Sequence, residues 1–185
     1  MSNEVVNLHQ DIIDRCIGGS RDAQYELYKL YSKAMYNTCV RMLNDADDAD
    51  DVLQEAFISA FRNLKSYRGD ASFGAWLKRI VVNKCITFIK KNHGLMVPLD
   101  ERGAEMIEEE QIDYSEVTMS INKIKEGVKQ LPDGFRSVLT MYLFEGLDHK
   151  EIAEVLGITE STSKSQYLRA KLRLRTLLED QINYG

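Results

Sequence analysis

The side chains with the clearest chemical pattern lie in the last quarter of the chain. Asp148 and Glu151 have the spacing of a capping box that begins a short helix, and Gly157 can take the left-handed conformation that ends it. After Thr159 a second helix is predicted, in which Lys and Arg recur among apolar residues. A short helix, a glycine turn and a basic helix are typical of a helix-turn-helix, whose second helix reads base edges in the major groove. An ordinary helical hairpin is the alternative.

A second group of side chains combines aromatic rings with positive charge. Tyr67, Phe73 and Trp76 lie beside Gly69 in a predicted loop and at the start of a basic helix. Proteins hold unpaired bases with this mixture of stacking faces and cations. Asn83, farther along the same predicted helix, has an amide that can read a base edge. The alternatives are plain core aromatics and a solvated asparagine.

The sequence has no set of residues with the spacing that catalysis or metal binding requires. The three histidines have no i, i+4 partner and no cysteine close by: His9, His93 and His149. The three cysteines are far apart, which predicts buried reduced thiols: Cys16, Cys39 and Cys85. No glycine-rich phosphate loop is present. We therefore expect no catalytic residue, no metal, no cofactor and no small-molecule substrate.

Composition restricts the fold that positions these groups. The 185 residues are 44% hydrophobic and 29% charged, which is enough apolar surface for an ordered core. With 2 prolines and 11 glycines, the chain favours long helices over a turn-rich β-sandwich. No apolar run reaches the roughly 18 residues that span a bilayer, and no signal peptide pattern begins the chain, so we expect a cytoplasmic protein.

The net charge of -5 hides an uneven distribution along the chain. Residues 60–93 contain eight Lys or Arg and one acidic residue, and residues 161–178 contain five basic residues and no acidic one. Residues 94–120 contain eight acidic residues and one basic. The two basic stretches therefore flank an acidic segment. Such stretches contact phosphate, or else form a solvated helix face.

Apolar periodicity of three and four residues predicts the helices that carry these groups. Before the helix-turn-helix, they are expected at residues 20–43, 47–64, 72–92, 121–131 and 134–144. Ser20 is the expected N-cap of the first. The sequence thus predicts an all-α chain with two small helical domains, 1–92 and 121–185, joined by an acidic linker at 93–120.

The order of these motifs resembles the extracytoplasmic-function sigma factors of bacterial RNA polymerase. The segment DDADDVLQEAF, which begins at Asp47, is similar to the polymerase-binding helix of that family, and WLKRIVVN, which begins at Trp76, to its promoter-melting helix. Leu131-Pro132 and the segment from Glu151 to Lys171 are similar to its C-terminal helix-turn-helix. The resemblance covers about residues 8–92 and 121–178.

This resemblance implies roles for particular side chains. Those implied for docking on core polymerase are Asp50, Asp51, Leu53, Gln54 and Glu55. Those implied for capturing and melting the minus-ten element are Tyr67, Phe73, Trp76, Lys78, Arg79, Asn83 and Lys84. Those implied for binding the minus-thirty-five element as duplex are Thr162, Lys164, Ser165, Leu168, Arg169, Lys171 and Arg173, the last two nearer phosphate.

The resemblance also implies the partners of the chain. They are core RNA polymerase, promoter DNA as duplex and as melted strand, and an anti-sigma factor, often membrane-anchored. Polymerase would perform the chemistry, so the chain itself would not be an enzyme. Ser161 and Ser163 stand where the family commonly has glycine and valine, which leaves the register of the base contacts open. On the residues alone, a free-standing helix-turn-helix regulator and a helical protein-binding adaptor remain open as alternatives.

Overall fold

The computed structural model describes residues 8–94 and 121–183, and all regular secondary structure in these ranges is helical. The prediction of an all-α protein is confirmed. The chain divides into two compact units, Met1–Asn92 and His93–Gly185. Most of the predicted acidic linker lies outside the described residues.

The first unit is a bundle of α-helices with a single 3-10 turn at Leu64–Ser66. Its helices are α1 (Gln10–Ile17), α2 (Arg21–Leu43), α3 (Ala46–Arg62) and α4 (Phe73–Asn92). Helices α2, α3 and α4 pack against one another, while α1 packs on α2 and on the 3-10 turn. The core is formed by their apolar stripes, with Leu27, Met42, Phe57, Leu77 and Ile89 among its buried members.

Local hydrogen bonds explain where two of these helices begin. Ser20 Oγ accepts a hydrogen bond at 3.2 Å from the amide three residues on, so the predicted N-cap of α2 is confirmed. The carboxylate of Asp45 accepts from the amides of Asp47 and Asp48 at 2.9 and 3.0 Å, and α3 therefore begins at Ala46, one residue before the predicted start. Helix α1 was not predicted.

The second unit contains four helices among the described residues. They are α5 (Ile121–Lys129), α6 (Asp133–Leu143), α7 (His149–Leu156) and α8 (Glu160–Asn183). The long helix α8 packs against the other three, and α6 also packs against α7. The side chains that pack around Ala170 of α8 are Val128, Leu131, Phe135, Leu139, Tyr167, Leu174 and Leu177. Helix α8 is therefore both the core of the unit and the basic helix of the predicted helix-turn-helix.

Three further properties of the described residues bear on function. None of their helices is long and apolar enough to cross a membrane. All three cysteines are buried thiols, as predicted, and burial raises the pKa of Cys16. Within the described ranges, no group of three or more His, Cys, Asp or Glu side chains is arranged to hold a metal ion.

Candidate functional site

Helix α3 presents a polar face to solvent. Asp50, Asp51, Gln54 and Glu55 are exposed, and they recur at helical spacing on the side opposite the core. Ile58 lies one turn after Gln54 on the same side, and 50% of its surface is exposed. These five residues are called the α3 face below. It is an acidic surface with an exposed apolar side chain at its C-terminal end.

The polymerase contact predicted at Leu53 is corrected by the structure. Its side chain is only 4% exposed and belongs to the buried stripe of α3 with Val52, Ala56 and Phe57. Leu53 is therefore a core residue, and Ile58 is the exposed apolar residue of the helix. Ile58 could not be recognised from the sequence, because an isoleucine next to a buried stripe has the pattern of another core position.

The loop before α4 is closed over a cluster of aromatic rings. The Tyr67 hydroxyl donates a hydrogen bond to the carbonyl of Ala71 at 2.6 Å. The centroid of the Tyr67 ring lies 5.7 Å from that of Phe73 and 5.4 Å from that of Trp76. Tyr67 and Trp76 are half-buried, so part of each ring remains open to a ligand. The structure thus brings together the three aromatic residues that the sequence singled out.

Phe73 has a supporting role in this cluster. It was predicted to contact the melted strand, but it is 1% exposed and its centroid lies 5.6 Å from that of Trp76. The prediction is corrected: Phe73 lies beneath Tyr67 and Trp76 and fixes their positions, and it does not offer a free face to a base.

The exposed part of α4 places a cation and an amide next to the cluster. Trp76, Arg79 and Asn83 follow one another at i, i+3 and i+7, so they share one helix face. Arg79 and Asn83 are exposed, while Lys78 is half-buried. A stacking ring, a guanidinium and an amide are therefore aligned along α4, in the combination that suits an unpaired, negatively charged strand.

Lys84 lies away from this aligned set, at the contact of α4 with α3. Its Nζ is 3.5 Å from a carboxylate oxygen of Glu55. The structure therefore pairs a residue predicted to bind DNA with one predicted to bind polymerase. An exposed ion pair contributes about 0–1 kcal/mol, so it opens readily when a partner competes for either side chain.

The predicted ends of the two helices in the helix-turn-helix are confirmed by their hydrogen bonds. The Asp148 carboxylate accepts from the Glu151 amide at 2.8 Å, and the Glu151 carboxylate accepts from the Asp148 amide at 3.0 Å. Gly157 ends α7 with a φ of 73°. The Thr162 amide then donates to Thr159 Oγ1 at 3.0 Å, which begins α8. Each of these side-chain hydrogen bonds joins residues that are three positions apart in the sequence.

The outward side of α8 carries most of the residues predicted to read duplex DNA. Ser163, Gln166 and Ala170 face the core, and Lys164 and Leu168 lie on the other side, Lys164 exposed and paired with Glu160 at 2.7 Å. The remaining residues at this surface are Ser161, which is exposed, and Thr162 and Ser165, which are half-buried. Sequence analysis did not include Ser161, although it precedes Leu168 by seven residues and therefore shares its face.

Three other basic residues predicted to bind duplex DNA lie farther along α8 than Leu168. Arg169 and Lys171 are half-buried, and Arg173 is exposed. The ammonium of Lys171 lies 5.3 Å from the centroid of the Tyr167 ring, a cation–π contact that holds the side chain against the helix. Cations farther along a recognition helix suit the phosphates on either side of a groove.

His149 connects the two helices of the helix-turn-helix. Its Nδ1 lies 3.0 Å from the hydroxyl of buried Ser163, and its ring stacks on Tyr142 with centroids 4.6 Å apart. Burial of the ring, and then the positive charge of Lys164, lower the pKa of His149; the carboxylates of Glu160 and Asp148 oppose this. The hydrogen bond gives Ser163, in place of the more usual valine, a defined packing role.

Acidification is expected to destabilise the second unit through His149. Because the folded state lowers the pKa of His149, the unfolded chain takes up the proton first as the pH falls through 6.5, the ordinary value. The stabilisation is complete above that value, is lost as the pH falls toward the folded-state pKa, and then levels off. Thermal unfolding measured between about pH 8 and pH 5 should show this slope, and His149→Phe, which keeps a stacking ring, should reduce it. An unchanged slope in His149→Phe would contradict the assignment.

Comparison with known proteins matches both units to one family. Residues 27–94 match the model of sigma-70 region 2, and residues 121–174 match that of sigma-70 region 4. The chain is 33% identical to the RNA polymerase sigma-H factor of Pseudomonas aeruginosa, over 88% of this chain and 89% of that protein. It is 31% identical to the ECF RNA polymerase sigma factor SigW of Bacillus subtilis, over 88% and 92%.

Solved structures share the fold. The sigma factor RpoE of Bartonella quintana, in complex with the anti-sigma factor NepR, matches with a TM-score of 0.57 at 22% identity, over 84% of this chain and 96% of that one. CnrH, in complex with the cytosolic domain of CnrY, matches with a TM-score of 0.55 at 23% identity, over 91% and 96%.

Proposed function

The chain belongs to the extracytoplasmic-function (ECF) sigma factors of bacterial RNA polymerase and directs promoter-specific transcription initiation, and we propose which of its surfaces binds polymerase and which bind promoter DNA. The α3 face docks on core polymerase, the surface around Trp76 captures the melted minus-ten strand, and the outward side of α8 binds the minus-thirty-five element as duplex. A free-standing helix-turn-helix regulator is excluded, because the first unit of this chain matches sigma-70 region 2 and such a regulator would not contain that region.

The observation that supports this proposal is that the two units present chemically different surfaces. The first presents half-buried rings beside Arg79 and Asn83, which suit unstacked bases. The second presents a capped helix-turn-helix with Lys164 and Leu168 facing outward, which suits the major groove of a duplex. A sigma factor needs one surface of each kind, because the minus-ten element opens while the minus-thirty-five element stays paired.

Capture of a minus-ten base requires that the base leave the stack. Flipping costs a few kcal/mol, which contacts to the extruded base must offset. Tyr67 and Trp76 supply partly open rings, Arg79 supplies charge for the strand, and the Asn83 amide supplies a donor and an acceptor for a base edge. The polymerase core performs the polymerisation chemistry, and this chain supplies recognition and strand separation.

Docking on polymerase uses the α3 face. Its carboxylates steer the approach to a basic partner surface, and Ile58 is the apolar side chain that the interface buries. A protein that covered this face would keep the chain away from polymerase. We therefore expect an anti-sigma factor to regulate it, as the solved relatives bound to NepR and CnrY suggest.

The test of the proposed function is reconstitution with bacterial core RNA polymerase. Genomic fragments from the source organism are transcribed with and without the protein, and the 5′ ends of the transcripts are sequenced. Starts that depend on the protein and share two spaced upstream elements are expected, and they supply the promoter for the variants below. Duplex binding without core binding or starts would overturn the proposal.

Asn83→Ala is expected to weaken promoter opening more than polymerase binding. Loss of one base-edge contact should reduce the yield of open complex about threefold to tenfold, because a hydrogen bond is worth about 0.5–1.5 kcal/mol. Permanganate reactivity of the minus-ten thymines measures opening, and titration of labelled core measures docking. Equal loss in both measurements would contradict the assignment of Asn83 to the melted strand.

Lys164→Ala is expected to weaken binding to the upstream element. A bidentate base contact is worth about 1–3 kcal/mol, and a phosphate contact would instead reduce the salt dependence of binding. Lys129→Ala is a matched control, because Lys129 is also exposed and paired at 2.7 Å with an acidic residue of its own helix, Glu126. Affinity for a duplex containing the minus-thirty-five element should fall only in Lys164→Ala; equal affinities for both variants would rule out the assignment.

A further inference from the structure

Tyr31 of α2 links the start of α4 to the N-terminal helix. The centroid of its ring lies 5.1 Å from that of Phe73, in an edge-to-face contact at 68°. Its hydroxyl lies 3.1 Å from Nδ1 of His9, and the His9 ring meets the Tyr31 ring edge-on at 5.8 Å. The sequence assigned no partner to His9, because 22 residues separate it from Tyr31.

Gly74 allows this close approach of α2 and α4. A Cβ at position 74 would lie 3.1 Å from Cε1 of Tyr31, closer than about nine in ten real contacts of that kind. The Tyr31 ring therefore packs directly on the backbone of the first turn of α4, next to Phe73.

The other end of the same loop is held by α1. Helix α1 packs on the 3-10 turn Leu64–Ser66, which immediately precedes Tyr67. His9, the N-cap residue of α1, holds the Tyr31 hydroxyl. The N-terminal helix is thus joined to both ends of the loop, to its start by direct packing and to its end through Tyr31 and Phe73.

We propose that His9 and Tyr31 are positioning residues for promoter melting, which hold the loop of Tyr67 and Trp76 in the shape that receives an extruded base. This inference rests on the proposed function. A loop fixed before binding loses less conformational entropy when the base enters, so its rigidity adds directly to the free energy of capture.

The test uses holoenzyme assembled from core polymerase and full-length variants. Tyr31→Phe keeps the ring and removes only the hydroxyl, and His9→Phe keeps the edge contact and removes only the hydrogen bond. Each should lower the yield of open complex on duplex promoter about threefold to tenfold, the range of one hydrogen bond, with unchanged affinity for core. Because both remove the same bond, the double variant should be no worse than either single one.

Tyr25→Phe is the matched control, since Tyr25 lies on the same helix, is 62% exposed and has the ammonium of Lys29 over its ring. It should open the promoter like the wild type. Gly74→Ala, which pushes on the Tyr31 ring, should resemble Tyr31→Phe. Wild-type opening by both Tyr31→Phe and His9→Phe, or additive losses in the double variant, would overturn the inference. Failure of the wild-type holoenzyme to bind a single-stranded minus-ten oligonucleotide would instead count against the proposed function.

Discussion

Replacement of Ile58 by aspartate is expected to lower affinity for core RNA polymerase by more than about tenfold while the protein stays folded. An interface is dominated by a few well-buried side chains, and Ile58 is the apolar member of the α3 face. Aspartate would take an unpaired carboxylate into that interface, which costs several kcal/mol if it is fully desolvated. It would also add negative charge beside Asp51 and Glu55. Titration of fluorescently labelled core measures the affinity.

Two control variants separate the effect of the added charge from the effect of its position: Ile58→Ala and Ile17→Asp. Ile58→Ala should show a smaller loss, because it removes packing and adds no charge. Ile17 is 39% exposed on α1, which packs on α2 and the 3-10 turn, and it is not a member of the α3 face, so its aspartate variant should bind core normally. Thermal unfolding should be unchanged in Ile58→Asp, since half of the side chain already faces solvent. If Ile58→Asp bound core polymerase with wild-type affinity, the assignment of α3 to the docking surface would be wrong.

Replacement of Trp76 by alanine is expected to reduce open-complex formation by about tenfold to a hundredfold. Stacking of a base on an aromatic ring is worth about 1–3 kcal/mol, and each 1.4 kcal/mol corresponds to about tenfold. Trp76 is the half-buried ring nearest to Arg79 and Asn83, so its loss removes stacking where the strand is held. Permanganate reactivity of the minus-ten thymines, at saturating core, gives the yield.

A structural loss is separated from a stacking loss by two measurements. Trp76→Phe keeps a smaller aromatic face and should retain part of the opening activity. If Trp76 only filled space, aromaticity would not matter, and Trp76→Leu would open the promoter as well as Trp76→Phe. Core affinity should stay at the wild-type value in all three variants, because the α3 face is untouched. Opening by Trp76→Ala at the wild-type level would exclude Trp76 from base capture.

Every described helix except α1, the ends of several of them, and the family of this protein could be predicted from the amino-acid sequence. Ser20 caps α2, the pair Asp148 and Glu151 caps α7, and Gly157 ends it, each within a few residues of its partner. Such short-range hydrogen bonds depend on spacing alone, so they can be recognised without the fold. The order of the polymerase-binding, melting and helix-turn-helix motifs is a linear property as well, and it indicated the family.

The tertiary structure decided which members of each motif are exposed. Helix α3 packs against both α2 and α4, which widens its buried stripe to include Leu53 and leaves Ile58 outside. The contact roles of Leu53 and Phe73 were implied by the family resemblance, although both lie on apolar stripes of the sequence, and only the packing shows that their side chains are buried.

Contacts between distant residues were also decided only by the fold. His9 contacts Tyr31, 22 residues away in the sequence, and His149 contacts Ser163, 14 residues away. Neither pair has a spacing from which the contact could be predicted. Helix α1 has only eight residues, too few for a reliable periodic signal, and two glycines follow it. The role proposed for α1 depends on its packing against the 3-10 turn and α2. Those contacts join segments that are distant in the sequence, so the order of residues does not predict them.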